Sequence, residues 1–194
     1  MQAIDLYTDF TSTKYALKLM PHVFLRSKEL RFAKWEDIDM EKGVWTVPAS
    51  IMKMRREHIV PLSRQVKEIL WELHDLTGGG EYLFPSAHSR GTVITDVTLL
   101  NGLRRLGYTR EEMSIHGFRG IASTLLNEMG YNSDLIEMQL AHMDRDRTRA
   151  AYNQAQWLPQ RKEMMQAWSD YLDKLETETN GTNDRSEGTH CSIE

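Results

Sequence analysis

The chain contains only one cysteine, Cys191, close to its end. One cysteine cannot form an internal disulfide, so we expect a reducing, cytosolic setting. No apolar run approaches the roughly 18 residues that a membrane-spanning helix needs, and the first residues lack the basic-then-apolar pattern of a secretory signal. These absences argue against a disulfide-stapled secreted domain and against a membrane protein.

Motifs for nucleotide and metal binding are also missing. The sequence has no GxxxxGK[ST] loop, no HExxH and no CxxC. Gly78 to Gly80 lack the lysine and the helix start that phosphate cradling requires, so they indicate a turn. The histidines are scattered without the spacing of metal ligands. We therefore expect no bound metal and no cofactor.

The chain lacks the net positive charge that a DNA-binding protein often carries. Its formal net charge is −4, but residues 173–194 hold six acids and two bases and so account for all of it. Residues 1–172 then contain 22 acids and 22 bases and are neutral. A neutral body can still bind DNA through a local basic patch, although composition alone does not favour it.

What is present is the composition of a soluble globular domain: 194 residues, 40% of them hydrophobic and 27% charged. Periodicity predicts a mainly α fold with a small antiparallel β-sheet, an α+β class. The polar segment 50–57 is predicted to be a hairpin loop. The predicted strands are 43–49, 58–62 and 82–85, and the predicted helices are 3–20, 26–35, 63–77, 96–106, 117–130, 133–141, 146–152 and 160–175.

The last predicted helix has an apolar stripe at helical spacing, made of Met164, Trp168, Tyr171, Leu172 and Leu175. Two interpretations stay open, because the stripe can close over its own domain or dock on a neighbouring protomer. The residues after Glu176 have little to bury. We therefore expect one domain over residues 1–175 and a disordered acidic tail over residues 176–194.

The segment "SIHGFRGIAST" places His116 and Arg119 three positions apart, on one face of a helical start. An arginine fork beside an imidazole can bind a phosphate, and a helix N-terminus offers free N–H groups to an anion. HxxR also occurs often by chance, so the segment alone favours an ordinary helix start. Gly117 and Gly120 would leave room for the close approach of a DNA strand or, alternatively, ease helix packing.

Four further fragments contain residues of matching chemistry. Arg26 opens a helix in "FLRSKEL", but it can also pair with Glu29 or cap that helix. Lys53 lies on the loop in "MKMRREHIVPL", where Arg55 and Arg56 compete for its role. The remaining two fragments are "QLAHM", which ends a helix at His142, and "AAYNQAQ", in which Tyr152 stands ten residues later and can also be a packed aromatic.

Together these fragments resemble the catalytic domain of the tyrosine recombinases, the phage-integrase family. The likeness extends over residues 3–175 and is greatest to integrases of prophages and genomic islands in enterobacteria. The family pattern is an arginine in an LRxxEL context, a lysine in a hairpin before a "VPL" strand, HxxR, an LxH segment and a tyrosine about ten residues on. The positions that match it in order are Arg26, Lys53, His116, Arg119, His142 and Tyr152.

The resemblance implies a role for each matching residue. Arg26 and Arg119 would bind the oxygens of a DNA phosphodiester, and Tyr152 would attack its phosphorus to form a 3′-phosphotyrosine. Lys53 would protonate the departing 5′-oxygen. The two histidines would serve the same reaction: His116 would accept the tyrosine proton and later return it, and His142 would hydrogen-bond a non-bridging oxygen. Arg55, Arg56 and His58 would contact the DNA backbone or solvent and not act in catalysis.

The resemblance also implies a setting for the protein. The activity would be site-specific recombination that integrates or excises a mobile element, in the cytoplasm and nucleoid of a bacterial host. Partners would be double-stranded attachment sites, three further copies in a synaptic tetramer, and accessory DNA-bending or directionality proteins; the fragment alone could be a monomer. Arm-binding and core-binding domains would precede residue 1. The rival interpretations are a topoisomerase-like strand-passing enzyme and a DNA-binding module without catalysis.

Overall fold

The structure, a computed structural model, describes residues 11–53, 55–142 and 157–186. Most of these are helical, and a single three-stranded antiparallel sheet accompanies the helices within the described ranges. The predicted α+β class is confirmed. In chain order the elements are α1 Thr11–Val23, α2 Ser27–Arg31, β1 Ile38–Asp39, β2 Val44–Val47, β3 His58–Pro61, α3 Arg64–Thr77, α4 Asp96–Arg105, α5 Gly117–Glu128, α6 Ser133–Gln139 and α7 Leu158–Ser186.

The sheet has the order β1-β2-β3, and its central strand pairs Val44 with Pro61 and Val47 with His58. Strand β2 alternates between partly buried and buried residues, so Trp45 and Val47 face the core. The segment between β2 and β3 forms the expected hairpin loop. Strand β1 was not predicted, because two residues, Ile38 and Asp39, are too short to show a period.

Two predicted elements differ from the structure, and tertiary pairing explains both. The helix expected over residues 26–35 ends at Arg31, because Ala33 accepts a backbone hydrogen bond from Leu83 and Trp35 donates one to Glu81. Strand 82–85 was also wrong: Tyr82 and Pro85 form isolated bridges, and β1 is the third strand instead. Predicted helix 146–152 and residues 3–10 of the first predicted helix lie outside the described residues.

The buried hydrophobic side chains form two clusters, and the chain passes from one to the other next to Arg26. The larger cluster joins α1, the sheet, α3 and α4. The smaller one joins α5, α6 and α7. The Phe24 side chain packs in the smaller cluster and the Leu25 side chain in the larger one. The left-handed backbone of Phe24, φ 57°, lets these adjacent side chains point into different clusters. Arg26 therefore emerges at the seam between the two clusters.

The C-terminal helix α7 packs on its own domain through the first part of its apolar stripe, while Leu175 at the far end of the stripe is exposed. Met164 and Trp168 are buried in the smaller cluster, and the Trp168 indole N–H donates to Pro21 O at 2.8 Å. The helix also continues to Ser186, whereas disorder was expected from residue 176. Once a helix is anchored by packing, each added residue gains a backbone hydrogen bond without a new nucleation cost. Within the described ranges, no helix has the length and apolarity to cross a membrane.

Candidate active site at a cluster of cationic side chains

The segment with His116 and Arg119 does start a helix, and its two side chains have opposite environments. His116 directly precedes α5 and is exposed. The hydroxyl of Ser114 accepts a hydrogen bond from the N–H of Gly117 at 3.1 Å, which satisfies one of the free donors of the first turn. Arg119 faces inward and is 8% exposed. The local geometry therefore presents the imidazole to solvent and carries the guanidinium toward the seam of the core.

Arg119 is held by backbone carbonyls from two distant parts of the chain. Nη1 donates to Phe24 O, and Nη2 donates to Leu140 O at 2.7 Å. Nη2 also lies 3.4 Å from Nε2 of His142. Burial, together with the nearby positive charge of Arg26, lowers the pKa of Arg119 to about 10. The guanidinium is thus still charged at neutral pH, but it has lost part of its hydration and faces a second cation.

Arg26 reaches the same place from the opening of α2. Its Nη1 forms an ion pair with Oε1 of Glu29 at 2.9 Å, and its backbone N–H donates to Oε2 at 2.8 Å. Its Nη2 lies 3.5 Å from Ala141 O, a long contact. The alternative role considered for Arg26, pairing with Glu29, is therefore present. It fixes one side of the guanidinium while the other side is directed at the residues around Arg119.

Residues 140–142 connect Arg26, Arg119 and the His142 ring. Leu140 O accepts from Arg119, Ala141 O lies beside Arg26, and the His142 ring lies beside Arg119. Ala141 has φ 49°, a left-handed conformation that is unfavourable for a residue other than glycine. Phe24, whose carbonyl binds Arg119, has φ 57°. Strained backbone thus occurs at two of the carbonyls that position the arginines, as is typical of functional sites.

His142 has a second partner that sequence reasoning missed. Its Nδ1 lies 2.7 Å from Oε2 of Glu137, one turn earlier at the end of α6. A carboxylate can only accept, so Nδ1 carries the proton in this pair. The ring is 45% exposed and directs Nε2 toward Arg119. With its proton on Nδ1, a neutral ring presents Nε2 as an acceptor toward Nη2 of Arg119.

Lys53 lies on the exposed β2–β3 loop, where Arg55 and Arg56 are exposed as well. Met52, directly before the lysine, is 5% exposed and belongs to the larger cluster, so it fixes the loop while Lys53 projects into solvent. The expectation for His58 was wrong. Its ring is buried, Nε2 lies 3.2 Å from Gln139 O, and burial lowers its pKa to about 3. It is a neutral packing group because it belongs to β3, behind the loop.

Of the six predicted residues, the structure brings Arg119 and His142 into contact and places Arg26 beside Ala141 O. His116 lies one helical turn from Arg119. Lys53 is on the exposed β2–β3 loop, and Tyr152 lies outside the described residues. No group of histidines, cysteines or carboxylates in the described part of the chain has the arrangement of a metal site. The cationic cluster is defined by Arg26, Arg119 and His142. It can bind an anion through fixed N–H donors without a metal.

Comparison with known proteins identifies the family. The Phage integrase family model matches residues 1–157. The integrase of Enterobacteria phage P4 is 42% identical over 182 residues, covering 86% of this chain and 42% of the relative. Prophage integrase IntS of Escherichia coli K12 is 41% identical over 174 residues, covering 89% of this chain and 45% of the relative. The chain thus spans less than half the length of these curated relatives.

Solved structures share the fold at lower identity. The integrase from mycobacterium phage Brujita superposes with a TM-score of 0.66 at 21% identity, over 85% of this chain and 54% of that one. XerH site-specific recombinase bound to difH substrate gives 0.57 at 20% identity, over 78% and 50%. With the family model and the curated relatives, these likenesses confirm what the six-residue pattern predicted: the chain belongs to the phage integrase family, the tyrosine recombinases.

Proposed function

We propose that this chain is the catalytic segment of a site-specific DNA recombinase of a mobile element. It cuts a DNA strand through a 3′-phosphotyrosine and rejoins it to another. The observation that carries the proposal is the cationic cluster, in which two guanidinium groups and an imidazole from distant parts of the sequence meet around residues 140–142. It is supported by the integrase relatives that match most of the chain.

The electrostatics of the cluster favour a phosphate as its ligand. Arg26 and Arg119 repel each other, and Arg119 is bonded to neutral carbonyls that do not cancel its charge. Glu29 and Glu137 balance the cluster only in part, each being paired with one neighbour. A phosphodiester between the arginines neutralises this repulsion. It also gains more from the cluster as charge builds on its oxygens during displacement.

In the first step Tyr152 attacks the phosphorus, and the bond from phosphorus to the 5′-oxygen breaks. The phenolic proton passes to His116, directly or through water, and Lys53 donates a proton to the departing oxygen. Arg26, Arg119 and His142 bind the non-bridging oxygens throughout. The unperturbed pKa of a tyrosine is about 10, so the positive site also serves to favour the phenolate.

In the second step a 5′-hydroxyl from another strand attacks the phosphotyrosine, and the phosphodiester re-forms. His116 returns its proton to the tyrosine, and Lys53 takes one from the incoming hydroxyl. The covalent link keeps the energy of the broken bond, so neither ATP nor a metal is consumed. The outcome is strand exchange, not hydrolysis.

The partner in this reaction is double-stranded DNA carrying attachment sites. Structural neighbours such as XerH are described in complex with their DNA substrates. The complete reaction uses four protomers, with accessory DNA-bending or directionality proteins, inside a bacterial cell. Because residues 1–172 are electrically neutral, we expect this chain by itself to bind DNA weakly, with arm-binding and core-binding domains of the whole protein supplying the rest. A salt-dependent nanomolar affinity of these 194 residues for one site would contradict that expectation.

The experiment is covalent capture of DNA. Full-length protein is incubated with sheared genomic DNA of its host, the mixture is denatured, and fragments attached to protein are sequenced. The recovered site is then synthesised with a nick near the cut, which traps the adduct. We expect an adduct from the wild type and from Tyr108→Phe, an exposed matched control, and none from Tyr152→Phe.

The same assay separates the rival functions. If the wild type forms no adduct at any site, the protein is a DNA-binding module without catalysis and the proposal fails. If an adduct forms but two DNA molecules never exchange strands while supercoiled plasmid is relaxed, the protein is a topoisomerase. Strand exchange between two copies of the recovered site identifies the recombinase.

A further inference from the structure

Arg161, near the start of α7, is a fully buried arginine, with an exposed fraction of 0%. Its guanidinium bonds two neutral partners. Nη2 donates to the side-chain oxygen of Gln139 at 2.6 Å and to Ile59 O at 2.5 Å, and Nε donates to the same Gln139 oxygen at 3.1 Å. The side chain thus joins the C-terminal helix to the end of α6 and to strand β3.

Burying the Arg161 guanidinium in this arrangement costs folding free energy. Burial lowers the pKa of Arg161 to about 10, and its Nη1 has no hydrogen-bond partner in the described part of the chain. A buried cation with neutral partners and an unmet donor is less favourable than an apolar side chain of similar volume. Stabilisation of the fold is therefore a poor explanation for an arginine here.

Gln139, which Arg161 holds, stands directly before the three residues that organise the cationic cluster. It is fully buried. Its side-chain nitrogen lies 3.4 Å from Val23 O, and its backbone oxygen accepts from His58 at 3.2 Å. One residue later Leu140 O binds Arg119, and then come Ala141 and His142. Gln139 is thus the fixed point from which residues 140–142 extend into the site.

We propose that Arg161 and Gln139 are positioning residues for the candidate active site. By fixing the end of α6 against β3 and α7, they set where residues 140–142 hold Arg119, Arg26 and His142. The inference rests on the proposed function. Displacement of catalytic groups by about 1 Å can cost roughly 100-fold in rate, and the left-handed Ala141 leaves this short segment little freedom to compensate.

The test compares Arg161→Met with Arg64→Met in the full-length protein. Arg64 also joins α7, through Asp173 at 3.5 Å, but its guanidinium is exposed and bonds Glu68, Asp170 and Asp173 rather than α6. Cleavage of the nicked site is followed at saturating DNA, with each variant first shown to be folded. We expect Arg161→Met to slow adduct formation at saturating DNA at least tenfold. The DNA concentration that gives half of the maximal rate should change less than twofold. Arg64→Met should leave both unchanged.

Two conservative variants separate positioning from general loss of structure. Gln139→Glu keeps the side-chain oxygen that accepts from Arg161 and loses only the long 3.4 Å contact with Val23 O, so it should cleave within about threefold of the wild type. Gln139→Leu removes that oxygen and should match Arg161→Met. Arg161→Lys retains a single donor nitrogen in place of the three of the guanidinium, and should fall between the wild type and Arg161→Met. If Arg161→Met cleaves saturating DNA at the wild-type rate, or Gln139→Glu is as slow as Gln139→Leu, the proposal is overturned.

A spectroscopic measurement keeps this inference separate from the proposed function. If the wild type forms no adduct, the proposed function has failed, and the position of Arg119 is then read from its side-chain Nε–H resonance in the 194-residue chain. Arg161→Met should shift that resonance and Arg64→Met should not. An Arg119 resonance that is unchanged by Arg161→Met would overturn the positioning role whatever the activity of the protein.

Discussion

Arg26 and Glu29 form a closed pair in which one carboxylate binds both the side chain and the backbone of the same arginine. The distances are 2.9 Å from Nη1 to Oε1 and 2.8 Å from the backbone nitrogen to Oε2. Glu29 is 2% exposed, while the arginine is 23% exposed. The pair therefore anchors Arg26 at its buried side and leaves its other nitrogen for the cationic cluster.

Glu29→Gln should destabilise the fold and make it sensitive to phosphate. The amide keeps one acceptor oxygen but removes the negative charge, so we expect a loss of about 1.5–3 kcal/mol, the range for hydrogen bonds to charged groups. Because the cluster then carries more uncompensated positive charge, added inorganic phosphate should restore more stability than it does in the wild type. Urea denaturation with and without phosphate measures both effects. Asp39→Asn, which breaks the exposed pair with Lys42, is the control and should show neither.

Arg119→Lys should abolish most cleavage even though charge is conserved. A single ammonium cannot reach Phe24 O, Leu140 O and a phosphate oxygen together, as the planar fork can. Losing one preorganised donor to a transition state typically costs about 100- to 1000-fold in rate, and we expect that loss in adduct formation. Arg31→Lys is the matched control, since Arg31 also bonds a carbonyl, Ile94 O, and a carboxylate, Asp96. Equal rates for Arg119→Lys and Arg31→Lys would exclude the proposed role.

Two buried histidines should make the protein sensitive to mild acid. Burial lowers the pKa of His22 to about 4 and that of His58 to about 3, from 6.5. Between pH 6.5 and these values the unfolded chain binds more protons than the folded one, so stability falls as pH falls through this window. The loss is about 2 kcal/mol per histidine at pH 5.

Unfolding measured from pH 7 to pH 4.5 checks this dependence. His22→Gln and His58→Gln should each flatten it, whereas His116→Gln, which removes an exposed imidazole, serves as the control for losing a histidine as such. An identical pH dependence in all three variants would show that the buried rings are not responsible.

Ala141→Gly should stabilise the protein. Ala141 has φ 49°, a conformation that costs an L-residue roughly 1–2 kcal/mol and that glycine adopts without strain. Glycine also makes the unfolded chain more flexible, which lowers the free energy of unfolding by about 0.5–1 kcal/mol. The net gain expected in urea denaturation is about 0.5–1 kcal/mol. Ala122→Gly, at a buried position inside α5, should instead destabilise. A destabilised Ala141→Gly would mean that the left-handed backbone is not a source of strain.

Gly120→Ala should separate folding from DNA binding. Within the described ranges, a Cβ at this exposed position in α5 meets nothing within 4 Å apart from its own helical turn. Alanine should therefore raise stability by up to about 1 kcal/mol through its helix propensity. If a DNA strand passes close to α5, the added methyl group should nevertheless slow adduct formation. Unchanged cleavage by Gly120→Ala would assign the glycine no role in DNA approach. Gly117 is different, because a Cβ there would lie 3.0 Å from Sδ of Met113.

Regular elements and contacts close in sequence were predictable from local pattern. Helices α3 to α6 begin and end within two residues of the predicted bounds. Amphipathic spacing and capping residues such as Ser63 depend only on residues close in sequence, so they can be recognised without the tertiary structure. The Arg26–Glu29 pair was foreseen as an alternative for the same reason. The early end of α2 and the strand β1 were missed, because each depends on pairing with residues distant in the sequence.

The sequence by itself determined the fold class, the family and the identity of the candidate site residues, because six chemically distinctive side chains occur in a fixed order. Tertiary structure decided which atoms hold them. Leu140 O and Phe24 O bind Arg119, and Glu137 pairs with His142. Backbone carbonyls are the same in every residue, so no sequence pattern marks the ones that bind an arginine. Only the packing of α5, α6 and α7 around the seam beside Arg26 selects them.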